Sequence, residues 1–430
     1  MVKTPRILLI NPPSDCVVDD RVEPPLGLLY LAGTLIQNSF DSLSLYDMTG
    51  CQNREQINAK IQNIPVADIY GIGCYSTNYA FVKQIIKYIK ENNRSAYILV
   101  GGPHPTGLPD FTIEDSGTDA IVVGEGEDVF GQAVGSFLES RQTGVLYGKG
   151  RSNIDSYAFP TRGLVDFNSY SRKLMGETVV SLLSSRGCKH HCIHCNSVVM
   201  GGGNRNVRYR STKNIIEEIE SLRDKYPYYR FNDDHFTGNP NLEELLISMK
   251  DLDIKFRIFA RIEDLDNRTS ELLKEAGCVH VNIGLESLNP RNLRILGKAS
   301  QIGKEGNVQI AKGCGLVVRS SFMVGLPYDN DQTITESFQR AAELGLDEFA
   351  IYPLIPYPGT LIWKNPERFG YTITNRDFTQ YVQMGKDGEA GYFLKHKNFT
   401  PEDVRKWFKM STRMFKEKGV LHMSESRVAE

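Results

Sequence analysis

Val179-Val180-Ser181-Leu182-Leu183-Ser184-Ser185-Arg186-Gly187-Cys188-Lys189-His190-His191-Cys192-Ile193-His194-Cys195 is the stretch on which the fold turns. Its first five residues form a short apolar, β-rich run, and such a run ahead of a Ser/Gly turn reads as a buried strand. The loop that follows sets three thiols at C-x3-C-x2-C spacing. Three thiolates from one loop can bind a four-iron cluster and leave one iron open to substrate. Zinc is the rival, because His190, His191 or His194 offers a fourth ligand for a closed tetrahedral site. Three unrelated thiols would be the third reading, and their tight spacing argues against it.

Downstream, helix-period and strand-period runs alternate. Helical patterns fall at Asn214 to Lys225, Leu242 to Leu252, Asp266 to Ala276, Ile302 to Cys314 and Thr333 to Leu344. Between them lie strand patterns at Tyr229 to Asp233, Phe256 to Ala260, His280 to Leu285, Val317 to Val324 and Glu348 to Leu354. Six βα-type units in succession fit a curved parallel sheet, a partial barrel, over 179–362. The remainder, 363–430, reads as a C-terminal helical region that includes a charged helix from Pro401 to Lys418.

Upstream, 1–145 repeats the alternation, with strand patterns at Arg6 to Ile10, Leu43 to Tyr46, Ala96 to Val100 and Ala120 to Val123 and helical ones at Leu26 to Gln37 and Phe81 to Asn92. Loop-forming clusters follow the strands: Asn11-Pro12-Pro13, Gly73-Cys74-Tyr75-Ser76, Gly101-Gly102-Pro103-His104 and Gly124-Glu125-Gly126-Glu127. In an open parallel sheet ligands sit beyond the carboxyl ends of the strands, so these clusters mark a ligand or interdomain face. Residues 146–178, with Gly, Pro and polar turns, form a connector.

Composition narrows the function classes. The 430 residues carry a formal net charge of −2 with both signs dispersed, so no basic field favours nucleic acid. No run approaches the roughly 20 apolar residues of a membrane span, and Ile7 to Ile10 is too brief for a signal peptide. The expectation is a cytoplasmic protein. Only three of the eight cysteines are closely spaced, which suits thiols in a reducing compartment better than a disulfide framework. Cys74, Cys278 and Cys314 read as small buried hydrophobes.

The cysteine loop after a first barrel strand resembles the radical S-adenosylmethionine (SAM) superfamily. Val207 to Ser211, Phe231 to Asp234, Asn282 to Ser287, Met323 to Pro327 and Tyr357 to Thr360 look like that family's successive strand ends. The first segment, through Asn11-Pro12-Pro13, Pro25 to Ala32, Gly101 to Pro105 and Gly124 to Glu127, is similar to the cobalamin-binding-type domain that precedes the radical SAM domain in one branch. The fold so implied is α/β: a Rossmann-like, cobalamin-binding-type parallel sheet, then a partial (β/α)6 barrel and a small C-terminal region.

By that resemblance Cys188, Cys192 and Cys195 hold a [4Fe-4S] cluster. Its open iron chelates SAM, and one-electron reduction, from a donor such as flavodoxin or ferredoxin, yields a 5′-deoxyadenosyl radical that abstracts hydrogen from a small-molecule substrate. Asp233 and Asp234 would receive the methionyl amino group, a natural charge-assisted pairing; Asp234 could instead cap a helix. Arg261 would meet the SAM carboxylate or ribose, or else form a surface ion pair. Glu286 and Ser287 would meet ribose hydroxyls, or cap the helix that starts near Pro290. His194 would pack against adenine. Gly101, Gly102, Gly124 and Glu125 would line the cobalamin site.

The sequence departs from mutase-type cobalamin domains in one respect. Those carry D-x-H-x-x-G, whose imidazole ligates cobalt, whereas the first histidine here is His104. Cobalamin, if bound, is not His-ligated. The expected reaction is cobalamin-dependent C-methylation. A cobalamin-independent radical dehydratase, epimerase or cyclase, acting for example on an amino sugar, remains open, as does a structural zinc module. Methylthio transfer to RNA is disfavoured because no further amino-terminal cysteine cluster is present. Tyr328, Tyr352, Tyr357 and Trp363 mark a region where a ligand could stack, and Gly201-Gly202-Gly203 lacks the Lys-Ser/Thr ending of a P-loop. No catalytic acid or base is assigned.

Overall fold

The computed structural model describes residues 4–17, 19–201, 206–382 and 391–422. Gly202 and Gly203 lie outside the described residues.

In the first strand, β1 (Ile7–Asn11), Ile7 and Leu9 join one apolar cluster and Leu8 and Ile10 another. That period-two division, with both faces buried, is the pattern of a parallel sheet covered by helices on each side. Its partners are β2 (Leu43–Asp47), β3 (Ile69–Gly73), β4 (Tyr97–Gly101), β5 (Ala120–Gly124) and β6 (Gly144–Gly148). All pair in parallel, in the order β2-β1-β3-β4-β5-β6. The helices α1 (Leu26–Gln37) and Glu127–Gly135 cover one face, and α2 (Arg54–Gln62) and α3 (Tyr79–Asn92) the other. The order reverses between β1 and β3, and that switch point is where an open α/β sheet leaves a crevice. Strand β6 straddles residue 145, the boundary expected from the sequence.

The connector packs back on the first domain rather than running free. The Thr161 N–H donates to the Leu29 carbonyl of α1 at 3.0 Å. A buried ionic triad then ties it to the second domain: Arg162 and Arg210 flank Glu218, each at 2.5 Å.

The second sheet is parallel and sequential. Its strands are Val180–Leu182, Tyr228–Phe231, Lys255–Ala260, Cys278–Glu286, Val317–Val324 and Glu348–Pro353. A seventh, Leu421–His422, adds in parallel beside the sixth. In the described residues its two edge strands do not pair with each other, so the sheet is an open arc. The 363–430 region is therefore not purely helical: besides the helix Pro401–Glu417 it supplies this edge strand and an antiparallel pair, Tyr371–Ile373 with Leu394–His396. The long helix docks through Val404, Trp407 and Phe415, and the Phe415 ring stacks on Phe349 of the sixth strand at 4.4 Å. Among the described residues no helix is long and apolar enough to cross a membrane.

Candidate functional site

The cysteine loop hangs from a two-residue antiparallel ladder. Ser185 pairs with Tyr209 and Arg186 with Arg208, so the cysteine loop that opens at Gly187 projects from the end of the first barrel strand. Asp233, which follows the second strand, fixes the start of this ladder. Its carboxylate accepts from the Ser184 N–H at 3.0 Å, the Ser184 hydroxyl at 2.7 Å and the Ser185 hydroxyl at 2.5 Å. It is 1% exposed, and burial raises its pKa against the pull of those donors. Asp233 thus holds the base of the cysteine loop through Ser184 and Ser185. Its neighbour Asp234 is exposed, accepts from the Ser197 hydroxyl at 2.5 Å and lines a large cavity with Asn232 and Arg208.

Cys188, Cys192 and Cys195 are half-buried free thiols. Burial pushes the Cys188 thiol up to about 11, with the negative fields of Asp234, Cys195 and Cys192 adding to it. Cys195 is raised by burial first, and Cys192 contributes. A thiol must lose its proton to bind a metal, so cations bound beside Cys188 and Cys195 would offset the burial that holds those protons on. Among the described residues no three His, Cys, Asp or Glu side chains converge tightly enough for a single ion. Thiols spread around a multi-iron cluster need no such convergence.

Around the loop, His194, Glu286 and Lys298 come together. Lys298 lies 3.3 Å from Glu286 and donates to the Gly284 carbonyl at 2.7 Å. Burial, aided by Lys298, lowers the His194 pKa to about 4, so the ring is neutral, and its buried Nδ1 has no hydrogen-bond partner. Glu286 adopts φ +61°, a left-handed conformation costly for a residue with a Cβ and concentrated at functional sites. Ser287 accepts from the Asn289 N–H at 3.1 Å, and the helix from Pro290 is capped by Asn289 rather than by Glu286 or Ser287. Arg261 is not a surface residue: at 7% exposure it donates to Glu263 at 2.6 Å and to Ser300 at 3.0 Å. Its guanidinium is committed to those partners.

Of the aromatic residues, Trp363 packs with Phe378 and Tyr381 in a separate small core, and Tyr328 is exposed beneath Arg291. Tyr357 packs against the same small core as Trp363. Cys74 and Cys278 are fully buried, as their sequence settings suggest, and Cys314 is half-buried.

The first domain meets this site edge-on. Gly101, Gly102, Gly124 and Glu125 all border a crevice of about 300 Å³ at the β1/β3 switch point, with Asn11 and Tyr75. Leu183, Arg186 and Met200, from both flanks of the cysteine loop, close it. A second cavity of about 950 Å³ adjoins it through Gly124, Glu125, Leu183, Arg186 and Met200. Gly102 is required here: its φ is +121°, and a Cβ would stand 2.6 Å from the Cys74 carbonyl. Where the domains touch, a Cβ on Gly107 would stand 2.6 Å from the Pro358 carbonyl.

Glu125 is spoken for by the second domain. Its carboxylate binds Arg186 at 2.9 Å and also Arg208, and Glu127 binds Arg186 at 2.6 Å. Burial alone would raise the Glu125 pKa, but the two guanidinia outweigh it and hold the carboxyl below its ordinary range. Glu125 is therefore an interdomain clasp at the cavity rim. Tyr75 and Glu127 fall in the strand-end clusters that the sequence marks as a ligand or interdomain face, whereas nothing local singles out Arg186 or Met200 as lining that crevice.

Residues 182–341 match the radical SAM superfamily and residues 17–134 the B12 binding domain. An uncharacterized methyltransferase of Pyrococcus horikoshii is 29% identical, over 94% of this chain and 91% of the relative. The anaerobic magnesium-protoporphyrin IX monomethyl ester cyclase of Rubrivivax gelatinosus is 26% identical, over 83% of this chain and 68% of the relative. Among solved structures, the radical SAM methyltransferase TsrM of Kitasatospora setae, with cobalamin and a [4Fe-4S] cluster bound, superposes with a TM-score of 0.69 at 16% identity, covering 91% of this chain and 87% of TsrM. The cobalamin-dependent radical enzyme OxsB gives 0.62 at 17% identity, over 97% of this chain and 62% of OxsB.

Proposed function

The chain is a radical SAM protein with an amino-terminal B12-binding domain, and from that premise we propose that it is a cobalamin-dependent methyltransferase acting on carbon of a small-molecule substrate. A [4Fe-4S] cluster, SAM and cobalamin are the cofactors these two domains imply. When bound, the cluster supplies the electron for reductive cleavage of SAM, and the corrinoid supplies the methyl group.

One observation carries the proposal: the crevice at the carboxyl edge of the first sheet is closed by residues that flank the cysteine loop. Cys188, Cys192 and Cys195 would hold the cluster, with Asp233 fixing the loop's base through Ser184 and Ser185. Neutral His194 and Glu286, beside that loop, would meet SAM. The small, conformationally free Gly101, Gly102 and Gly124 let a large cofactor approach the sheet edge, and Glu125, Glu127 and Arg186 keep the two domains in register around it. The Pyrococcus relative, named a methyltransferase along nearly its whole length, supports the same class.

Anaerobic reconstitution followed by iron, sulfide and product analysis tests this. Iron and sulfide should assemble in the wild type and be lost when any of the three cysteines is replaced by alanine. A zinc-containing, iron-free protein would sink the proposal. With SAM and a pool of candidate substrates, methyl transfer gives both 5′-deoxyadenosine and S-adenosylhomocysteine. Formation of 5′-deoxyadenosine alone would favour a dehydratase, epimerase or cyclase instead.

A further inference from the structure

Among the large side chains that line the crevice at the switch point, one is exposed. Tyr75, directly after β3, lines it and is 57% exposed. An aromatic ring with over half its surface open, standing in the wall of a crevice, offers apolar area and a flat face to whatever fills the space. The other polar and aromatic groups around that crevice are committed. Asn11 donates to Asp47 at 2.9 Å. Glu125 and Glu127 are bound to Arg186, whose guanidinium also lies over the Tyr30 ring at 5.0 Å. Tyr30 itself is 5% exposed.

No imidazole of the first domain competes for this position. His104, its one histidine, is 1% exposed, lies with Nδ1 3.1 Å from the Ser76 hydroxyl and stacks on Tyr79 at 4.3 Å. Its ring also meets those of Phe111 and Phe378 edge-on.

We infer that Tyr75 is the side chain with which this domain meets the corrinoid, its ring packing on the macrocycle. The inference rests on the cobalamin proposal above. It makes Tyr75 a binding residue whose ring, rather than its hydroxyl, supplies the contact.

Hydroxocobalamin titration of the full chain, followed by visible absorption, tests it with wild type, Tyr75→Phe, Tyr75→Ala and Tyr75→Leu. Thermal melts and cluster absorbance verify folding in each. Tyr75→Phe should bind within about twofold of wild type, whereas Tyr75→Ala and Tyr75→Leu should weaken binding about tenfold, the scale of one aromatic contact, and shift the visible bands of the bound corrinoid. The leucine variant retains bulk without the ring and carries the test should the alanine variant melt early. Unchanged binding in Ala and Leu overturns the inference, as does a loss in Phe equal to that in Ala. A folded wild type that retains no corrinoid overturns the cobalamin proposal and this inference together, a result distinct from failure of Tyr75 alone.

Discussion

Glu127 and Arg186 form an ion pair of 2.6 Å that joins the start of the helix after the first domain's fifth strand to the ladder from which the cysteine loop hangs. Both side chains are mostly buried, and Arg186 also binds Glu125 and lies over the rings of Tyr30 and Tyr157 at 5.0 and 4.7 Å. One guanidinium thus couples the rim of the B12-domain crevice to the residue two before Cys188. Removing one partner of such a pair strands the remaining buried charge: without Arg186, Glu127 loses its guanidinium, whereas Glu125 keeps Arg208.

Arg186→Ala should therefore cost about 3 kcal/mol and lower the iron retained per chain, because the cysteine loop loses its anchor to the first domain. Arg186→Lys should rescue little. A lysine ammonium lacks the planar fork that serves two carboxylates and the flat face that lies on two rings. Thermal melts and iron assays on both variants check this, and a lysine variant indistinguishable from wild type would refute it.

Asp233→Asn separates loop-holding from SAM binding. The substitution removes the charge that accepts from the Ser184 amide and the two serine hydroxyls, each charge-assisted bond being worth about 1.5–3 kcal/mol. The expected outcome is a lower melting temperature and poorer cluster assembly, with SAM affinity unchanged once corrected for cluster content. A SAM affinity that falls with cluster content held equal would support the ligand role suggested by the sequence.

Glu218 lies between Arg162 of the connector and Arg210 beside the cysteine ladder, and all three side chains are buried. Glu218→Ala leaves two buried guanidinia facing each other without their counter-charge, and should cost about 3–5 kcal/mol. Glu218→Gln keeps acceptor geometry on one side and should lose less. Thermal unfolding of the pair of variants gives the comparison directly.

The legibility of the fold followed the strength of local pattern. Val317–Val324 was readable to the residue, since Gly315 ahead of it and Gly325-Leu326-Pro327 behind it bracket a short run with valines at both ends. Ile69–Gly73 was not, because Gly71 and Gly73 interrupt it. Gly71 is imposed from outside the strand: a Cβ there would stand 2.8 Å from Leu9 and from Phe130. The two-residue strand Leu421–His422 has no pattern to read, and only its pairing with Glu348 and Phe349 makes it a strand. The radical SAM and B12 assignments were legible because each motif is local. Asp233 and Glu125 stood out as candidate site residues for the same reason, yet their actual partners, Ser184, Ser185, Arg186 and Arg208, come from segments that only the fold brings near.

Asp329 provides a pH prediction. It is 6% exposed, accepts from the Asn292 amide at 2.7 Å and from the Leu326 N–H at 2.8 Å, and burial raises its pKa to about 7. Unfolded, an aspartate titrates near 4. Between these values the folded protein holds a proton that the unfolded chain releases, so this group's contribution to stability is fully present below about pH 4 and is lost as pH rises through about 7. Asp329→Asn cannot ionise, and its side-chain oxygen can still accept from the Leu326 N–H. The variant should therefore melt at a temperature less dependent on pH between 4 and 7, and at pH 8 should gain relative to wild type. Melting curves across that range decide the matter: parallel pH profiles for the two proteins would show that the Asp329 carboxyl is not held neutral by its burial.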